Sequence, residues 1–257
     1  MTTELSRVTG VVVNYRTRDL TRRAAETLLH HYPQLRLIVI DNGSEDESTG
    51  FVRELGQTRV NVTAVLNRRN RYHGPALDQA IRSASTEFVF TLDSDCEIQR
   101  GGFLEAMLSA FADERVYAVG DIRYKNRFGF TYGYGEEAHP ERPNRIPYVH
   151  PYAMLLRRST YLQLHRFVHH GAPCLKNMRD AQRRGYVVVN FPVGDYVYHR
   201  LAGTSSGHGY GVVARTRNIL EARANSLHGW LTRDPTVPVR VVPRQRPEDS
   251  DPPRSPH

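Results

Sequence analysis

Cysteine is scarce in this sequence: Cys96 and Cys174 are the only two among 257 residues. Two cysteines are too few for the disulfide framework of a small secreted domain, so we expect a reducing, cytoplasmic setting. Long apolar runs are missing as well. None approaches the roughly 20 residues that span a bilayer, and the opening MTTELSRVTG has no apolar stretch of signal-peptide length. We expect a cytoplasmic protein, with peripheral contact at the inner membrane surface left open.

Two ligand-binding signatures are also absent. The twelve histidines show no zinc-type spacing, which argues against a structural zinc site. The glycine-rich GHGYG at 207–211 follows no strand–helix crossover of the dinucleotide-binding type, so we interpret it as part of a hinge or lid. These absences leave the strand ends and loops of the chain as the places to look for chemistry.

Positive charge, by contrast, is plentiful. Lys and Arg total 35 against 27 Asp and Glu, which gives a formal net charge of +8. This excess predicts an anionic partner, because opposite charges raise the local concentration of a ligand. Nucleic acid, a phospholipid surface and phosphorylated small molecules are all compatible with the charge alone.

Four short apolar runs in the first half alternate with helical patterns. Their bounds are 8–15, 35–42, 60–67 and 87–95. Such low polarity is typical of strands buried on both faces of a parallel sheet. Between the first two runs, Leu20, Ala24 and Leu28 recur every four residues behind a predicted cap at Asp19. The alternation predicts an α/β fold with a mostly parallel central sheet flanked by helices.

The second half has weaker patterns. A helix is predicted over Gly102–Asp113, then a strand at VYAVGDI, then a loop from 123 to 150 that is rich in Tyr, Gly and Arg. A strand at YAMLLRR, a helix from Ser159, a helix over 175–184 and strands at YVVVNFP and DYVYH follow. We predict a flexible segment at 201–211, a last helix at 212–231 and a disordered tail from 233 to 257.

Three polar loops follow strands of the predicted sheet: NYR at 14–16, DNGS at 41–44 and DSD at 93–95. In open α/β sheets ligands bind beyond the carboxyl ends of the strands, so these loops should converge on one cleft. Tyr15 offers a flat face for a base, and Asp41 can accept hydrogen bonds from base or ribose. The two aspartates of the third loop can hold Mg²⁺ or Mn²⁺ against a diphosphate.

With these residues in view, the chain resembles the family-2 glycosyltransferases of the GT-A fold from about Val8 to His199. The likeness rests on VVVNYR, LIVIDNGSED, NRYHGPALDQAI and FVFTLDSDCEI, in that order and spacing. It implies a donor-binding half at 1–122, an acceptor-binding half at 123–232 and the tail beyond. The implied reaction is metal-dependent transfer of a sugar from a nucleoside-diphosphate sugar to a hydroxyl- or phosphate-bearing acceptor, with inversion and with no nucleic acid as partner.

The resemblance also implies site residues. Those for the nucleotide sugar are Asn14, Tyr15, Arg16, Asp41, Asn42, Arg71, Gly74, Asp93 and Ser94. A Mn²⁺ or Mg²⁺ ion would be held by Asp95, with Asp93 and His199. The histidine of DYVYHRLAGTS follows a late strand, and a neutral imidazole there can complete the metal's ligand shell.

One expected feature is missing. Many inverting members carry an acidic pair before the helix that ends in an RRxGY-like turn, whereas this chain has Ala172-Pro173-Cys174 there. Asp180 is the nearest acid and our candidate for the catalytic base. The alternatives that stay open are Glu136, Glu137, His150, His169 and His170, or an acceptor that is already an anion and needs no base.

Each assignment has a simpler structural alternative. Aspartates after a strand often form turns, Tyr15 can be ordinary packing, and Arg71 and His73 can be solvated loop residues. Cys96 is more simply a packing group than a ligand. The ordered set of four motifs favours a metal site at the aspartates, while Tyr15 is evenly balanced between the two interpretations.

Three other functions compete with the transferase. A nucleotidyltransferase would carry a glycine-rich basic loop near the start, which VVVNYRTRDL lacks. A basic module for nucleic acid or a membrane surface would use Arg68, Arg69 and Arg71 with segments 213–223 and 233–246, and would bind with steep salt dependence. A degenerate transferase would bind the donor and catalyse little.

Overall fold

The four apolar runs of the first half form parallel strands of one sheet, which confirms the predicted α/β architecture. They are β1 (Val8–Asn14), β2 (Arg36–Asp41), β3 (Val62–Leu66) and β4 (Phe88–Asp93). β1 pairs in parallel with both β2 and β4, and β2 pairs with β3. All seven residues of β1 are buried, because helices cover both faces of the sheet.

The computed structural model describes residues 4–125, 146–168, 173–200 and 240–241. The predicted lid at 201–211, the predicted helix at 212–231 and most of the predicted tail lie outside these ranges. So do the base candidates Glu136, Glu137, His169 and His170.

Six α-helices flank the sheet in the described part of the chain. They are α1 (Arg18–His31), α2 (Glu47–Thr58), α3 (His73–Ser83), α4 (Phe103–Ser109), α5 (Arg158–Tyr161) and α6 (Leu175–Arg183). One apolar core joins the sheet to α1, α2 and α4, and a second joins it to α3, α5 and α6. Their positions give a three-layer arrangement with the sheet in the middle.

Two details of the helices differ from the sequence prediction. Asp19 is not a cap: α1 begins after Thr17, and Asp19 pairs with Arg22 on the helix surface. Helix α2 was not predicted from the sequence, because only Ser48 and Val52 of its residues are buried and the apolar periodicity is weak. Its start is marked instead by Asp46, whose carboxylate accepts a hydrogen bond from the Ser48 amide.

The second half of the chain extends the sheet. Its strands are β6 (Val116–Lys125), β7 (Ile146–Arg157), β8 (Val187–Asn190) and β10 (Arg240–Val241), and the full order is β10-β8-β6-β7-β4-β1-β2-β3. Only β7 among these runs antiparallel to its neighbours. The prediction of a loop over 123–150 was therefore wrong at both ends, because β6 extends to Lys125 and β7 begins at Ile146. The prediction of a disordered tail was wrong at β10.

A second, two-stranded sheet lies beside the end of β4. It pairs β5 (Cys96–Ile98) antiparallel with β9 (Val197–His199). Its register puts Cys96 opposite His199, so a late strand of the chain is joined directly to the segment that follows Asp93.

Strand β7 contains a bulge. Gly120 and Ile122 of β6 are separated by one residue, whereas their partners in β7, Met154 and Val149, are separated by the segment 150–153. Gly120 permits this close approach, because an added Cβ would lie 2.7 Å from a Val149 methyl and 2.9 Å from the Ala153 carbonyl oxygen.

Among the described residues, no helix has both the length and the apolar character needed to cross a membrane.

Candidate functional site

The polar ends of β1, β2 and β4 lie side by side. Asn14 is opposite Asp41 in the β1–β2 register, and Val13 is opposite Asp93 in the β1–β4 register. Chain order reverses here, since β2 and β3 lie on one side of β1 and β4 lies on the other. Such a switch point opens a crevice for ligands at the carboxyl ends of the strands. The structure thus brings the three predicted polar loops to one edge of the sheet.

Asp41 is buried at the centre of a hydrogen-bond network. Its carboxylate accepts from the Asn14 amide at 2.9 Å, from the Thr49 hydroxyl at 2.7 Å and from the Ser44 hydroxyl. Asn14 is itself fixed, because its side-chain oxygen accepts from the hydroxyls of Thr17 and Thr21. The network holds both predicted nucleotide residues rigidly, as a binding site requires.

Asn42 ties the next loop to this edge. Its side-chain NH₂ donates to the Asn70 side-chain oxygen at 3.0 Å, and its oxygen accepts from the Asn67 side chain and the Arg71 backbone. Arg71 is exposed and donates to Gln79 at 3.0 Å. Asn42 therefore positions the loop that carries Arg71.

Tyr15 and Arg16 form the rim of the crevice. Tyr15 is half-buried, and the Arg16 guanidinium lies 5.4 Å from the centre of its ring. Arg16 also bonds Ser44 through its backbone amide and through its Nε. Ser94 accepts from the Thr17 hydroxyl at 3.3 Å. One face of the Tyr15 ring is therefore covered by Arg16.

Backbone strain is concentrated in the same loops. Three non-glycine residues of the described chain have positive φ, namely Arg16 at 57°, Glu45 at 56° and Tyr72 at 69°. They follow β1, β2 and β3 respectively. A residue with a side chain is uncommon in this conformation, and such outliers cluster at binding and catalytic sites.

His73 makes a contact that the sequence did not predict. It begins α3, and its Nε2 lies 3.3 Å from an Asp93 carboxylate oxygen. Burial acts to lower the pKa of His73, but the charge of Asp93 raises it above its ordinary value. Burial likewise acts to raise the pKa of Asp93, and His73 holds it below its ordinary value. The pair favours the charged forms of both groups.

His199 meets Asp95 through the β5–β9 pairing. The distance from His199 Nε2 to the Asp95 carboxylate is 3.4 Å, and the Arg200 amide donates to the Asp95 backbone oxygen at 3.1 Å. Burial acts to lower the pKa of His199, while Asp95 raises it above its ordinary value. The structure thus brings Asp95 and His199 together with Cys96, and the charge of Asp93 also acts to raise the pKa of His199.

One buried atom of this cluster, the His199 Nδ1, has no hydrogen-bond partner within the described residues, and the buried Asp93 oxygen is faced by the His73 imidazole at 3.3 Å. Buried polar atoms are normally paired, so orphans of this kind are expected where a ligand binds. Carboxylate oxygens with an imidazole suit a divalent cation such as Mn²⁺. The residues present therefore fit the expected metal.

Cys96 lies within reach of the same cluster, with its sulfur close to the ligand atoms of Asp95 and His199. Its thiol is fully buried and donates to the Tyr152 carbonyl at 3.7 Å. Burial raises the pKa of the thiol, and the two aspartates raise it further. Because a hard cation such as Mn²⁺ prefers oxygen ligands to sulfur, and the thiol already bonds the Tyr152 carbonyl, Cys96 is better explained as a packing group.

His150, one of the open base candidates, lies at the β7 bulge beside this cluster. Its ring is 6.5 Å from the His199 ring and 5.3 Å from the Tyr152 ring, and Tyr152 stacks on His199 at 4.7 Å. Burial lowers the pKa of His150 to about 3. The imidazole is therefore neutral at physiological pH.

Two predicted residues have contacts of another kind. Asp180 accepts from the Arg184 side chain at 3.0 Å and from the His165 backbone at 3.2 Å, contacts that tie α6 to the chain before it. Gly74 is buried, and an added Cβ would lie 1.7 Å from the Val168 carbonyl oxygen. The structure shows Asp180 in an ion pair and Gly74 in a close packing contact.

Comparison with known proteins identifies the family. The family model for glycosyl transferase family 2 matches residues 10–180, more than half of the chain. A search of curated proteins finds no match. The fold is similar to that of the mannosyltransferase PcManGT from Pyrobaculum calidifontis, solved with GDP-Man and Mn²⁺. The two are 19% identical with a TM-score of 0.61, and the match covers 90% of this chain and 66% of that one.

A second similar structure is S. aureus TarS 1-349 in complex with UDP-GlcNAc. It is 14% identical with a TM-score of 0.57, and the match covers 86% of this chain and 66% of that one. The chain thus spans just under two thirds of the length of these two relatives. The family match confirms the predicted enzyme class over a nucleotidyltransferase or a basic binding module. The chain belongs to the family-2 glycosyltransferases and has their GT-A fold.

Proposed function

We propose that this glycosyltransferase moves a sugar from a nucleoside-diphosphate sugar, bound with Mn²⁺ or Mg²⁺, to a hydroxyl- or phosphate-bearing acceptor with inversion. One observation carries the proposal. The buried Asn14–Asp41 network and the Asp95–His199 pair lie at the same edge of the sheet, where β1, β2 and β4 end. A nucleoside and its diphosphate need two such polar regions in one crevice.

The first region would hold the nucleoside. Asp41 and Asn14 present fixed polar atoms, and the Tyr15 ring would stack on a base with the face that Arg16 does not cover. Arg71 is exposed near the end of the loop before α3 and would reach towards the phosphates. The GDP-Man and UDP-GlcNAc in the two similar structures support a nucleotide-sugar donor of this general kind.

The second region would hold the metal through Asp95, Asp93 and His199. A divalent cation there would offset the negative charge that builds on the diphosphate as it leaves. The carboxyl pKa of Asp93 is held low by the neighbouring imidazole despite its burial, so this ligand favours the form that binds metal. His199, whose pKa is raised by Asp95, would release its proton when the cation binds. The orphan Nδ1 of His199 supports this assignment.

Inversion requires that the acceptor lose a proton unless it is already an anion. The Asp180 carboxylate is engaged by Arg184 and by the His165 backbone. We therefore expect either a base outside the described residues or a phosphate as the attacking group. A phosphate acceptor would also agree with the net charge of +8.

The test is a thermal-shift panel of UDP-, GDP-, dTDP- and CDP-sugars, each with and without Mn²⁺. A ligand that binds only the folded state raises its apparent stability. One nucleotide should stand out, with metal only, in the wild type and in the surface control Asp19→Asn, and not in Asp95→Ala. An Asp95→Ala variant that keeps full shift and full turnover would refute the metal site. Binding without turnover would indicate the degenerate transferase.

A further inference from the structure

The β7 bulge is built so that it presents His150 to the cluster. The Thr91 hydroxyl donates to the Pro151 carbonyl at 2.6 Å, and the Cys96 thiol donates to the Tyr152 carbonyl. Gly120 gives the bulge the room that a side chain would fill. Bulges commonly turn a side chain towards a site. Here the ring of His150 comes within 6.5 Å of the His199 ring.

The hydrogen bonds of His150 define which ring nitrogen carries the proton. The Tyr152 backbone amide donates to His150 Nδ1 at 3.3 Å, so Nδ1 must be the unprotonated nitrogen. The proton of the neutral ring is then on Nε2. Within the described residues Nε2 has no hydrogen-bond partner. It is also not one of the fully buried polar atoms that lack a partner, so a ligand can reach it. His150 therefore has one unused donor.

The charges around this donor favour a phosphate. The proposed metal ligands Asp93 and Asp95 are carboxylates, which repel a diphosphate until a cation and N–H donors counter them. Arg123, whose charge acts on His150, is paired with Asp121 at 2.9 Å. An imidazole N–H can bind a phosphate oxygen without displacing the metal, and such a hydrogen bond to a charged group is among the stronger ones.

We propose that His150 binds the diphosphate of the donor by donating a hydrogen bond from Nε2. This inference rests on the proposed function and adds a contact from β7, the strand that links the two halves of the chain. It also assigns His150 a role other than that of the base, because a protonated Nε2 cannot accept the acceptor's proton.

Two substitutions of His150 distinguish the roles of its two ring nitrogens. The Gln amide of His150→Gln can replace Nε2–H, whereas the Asn side chain of His150→Asn can replace only Nδ1 as the acceptor for Tyr152. Calorimetry with UDP and GDP in the presence of Mn²⁺ should show affinity within about threefold of wild type for Gln and at least about tenfold weaker for Asn. The exposed His30→Asn is the matched control and should bind as wild type does.

Other results would overturn the inference. If His150→Gln loses nucleotide affinity and His150→Asn retains it, His150 only supports Tyr152. Equal affinity in all variants, or an equal loss of affinity in both, would exclude hydrogen-bond donation from Nε2. Loss with UDP-GlcNAc or GDP-Man but not with UDP or GDP would move the contact to the sugar. If the wild type binds none of these ligands or the ADP, CDP and dTDP controls, the proposed function itself fails.

A measurement on the wild type tests the inference even if the variants do not fold. In ¹⁵N-histidine spectra, the Nε2–H signal of His150 should shift when the binding nucleoside diphosphate is added with Mg²⁺. An unchanged Nε2 signal at saturating nucleotide would also overturn the inference.

Discussion

The imidazole of His199 lies 3.4 Å from the carboxylate of Asp95, although the two residues come from different halves of the chain. The contact depends on the pairing of β9 with β5, which places His199 opposite Cys96 and so next to Asp95. The proposed metal site is therefore assembled by tertiary structure, and the donor-binding half alone does not complete it.

Removal of His199 should weaken metal binding. We expect His199→Ala to reduce Mn²⁺ affinity by at least about tenfold, measured by electron paramagnetic resonance titration with saturating UDP or GDP. The neighbouring Tyr198 is 53% exposed, and its side chain lies on the opposite face of the strand from that of His199. Tyr198→Ala is therefore the control. Equal Mn²⁺ affinity in both variants would contradict the assignment.

Loss of one Asp41 oxygen should cost both stability and nucleotide affinity. In Asp41→Asn an NH₂ group would replace an oxygen that accepts from Asn14, Ser44 or Thr49, leaving a buried donor unpaired. We expect the free energy of unfolding to fall by about 1–3 kcal/mol.

The control for Asp41 is Asp46→Asn in the same loop. It removes the same charge, and Asn caps a helix as well as Asp does. Denaturant unfolding of the two variants should differ clearly. Equal stabilities would mean that the network around Asp41 contributes nothing.

The His73–Asp93 pair should make stability depend on pH. The pKa of His73 is raised above 6.5, so its contribution is complete below pH 6.5 and is lost as the pH rises through the folded-state value. The pKa of Asp93 is lowered below 3.8, so its contribution is lost as the pH falls through that lower value. His73→Gln should therefore destabilise most between pH 3.8 and 6.5.

The measurement is the free energy of unfolding of wild type and His73→Gln across pH, in buffer with a chelator. We expect the difference between the two proteins to shrink above pH 6.5. A difference that is the same at every pH would show that the contact is not an ion pair.

Much of the fold was predictable because it depends on local pattern. Buried apolar runs identified β1 to β4, and polar residues at their ends identified the loops that converge. Helix α2 was missed because Gly50, Gly56 and its many polar residues obscure its periodicity. The strand ends of β6 and β7 were missed because Tyr, Arg and Pro are there in place of an apolar run.

The site was predictable only in part. Asp93 and Asp95 are visible as carboxylates at a strand end, but the contact of His73 with Asp93 depends on where α3 begins relative to β4. The position of His150 depends on a bulge fixed by Gly120 and Thr91, which are remote in sequence. His73 was noticed at the HGPA helix start, but no local signal identified Asp93 as its partner.

Gly74 and Gly50 should respond in opposite ways to alanine. An added Cβ at Gly74 would collide with the Val168 carbonyl at 1.7 Å, so we expect Gly74→Ala to lose about 3 kcal/mol. Gly50 lies within α2 with nothing within 4 Å of an added Cβ. Gly50→Ala should gain about 0.5–1 kcal/mol. Thermal denaturation checks both, and a neutral Gly74→Ala would mean that the segment around Val168 can move aside.

Asp180 can be tested as the base. From its pairing with Arg184, we expect Asp180→Asn to keep kcat within severalfold and to lose about 1 kcal/mol of stability. A general base contributes roughly 10²–10⁴-fold to the rate. A loss of that size in single-turnover kinetics, with nucleotide affinity unchanged, would restore Asp180 as the base.

The pairing of β10 with β8 has a consequence for handling the protein. Val241 and Arg240 cover the outer edge of β8, and Arg240 is anchored to Asp113 at 2.7 Å. A version of the chain shortened before Arg240 would leave the amide and carbonyl groups of β8 open to a strand of another molecule. Truncation of the proline-rich end would then show first as aggregation during purification, even though the residues removed lie far from the chemistry.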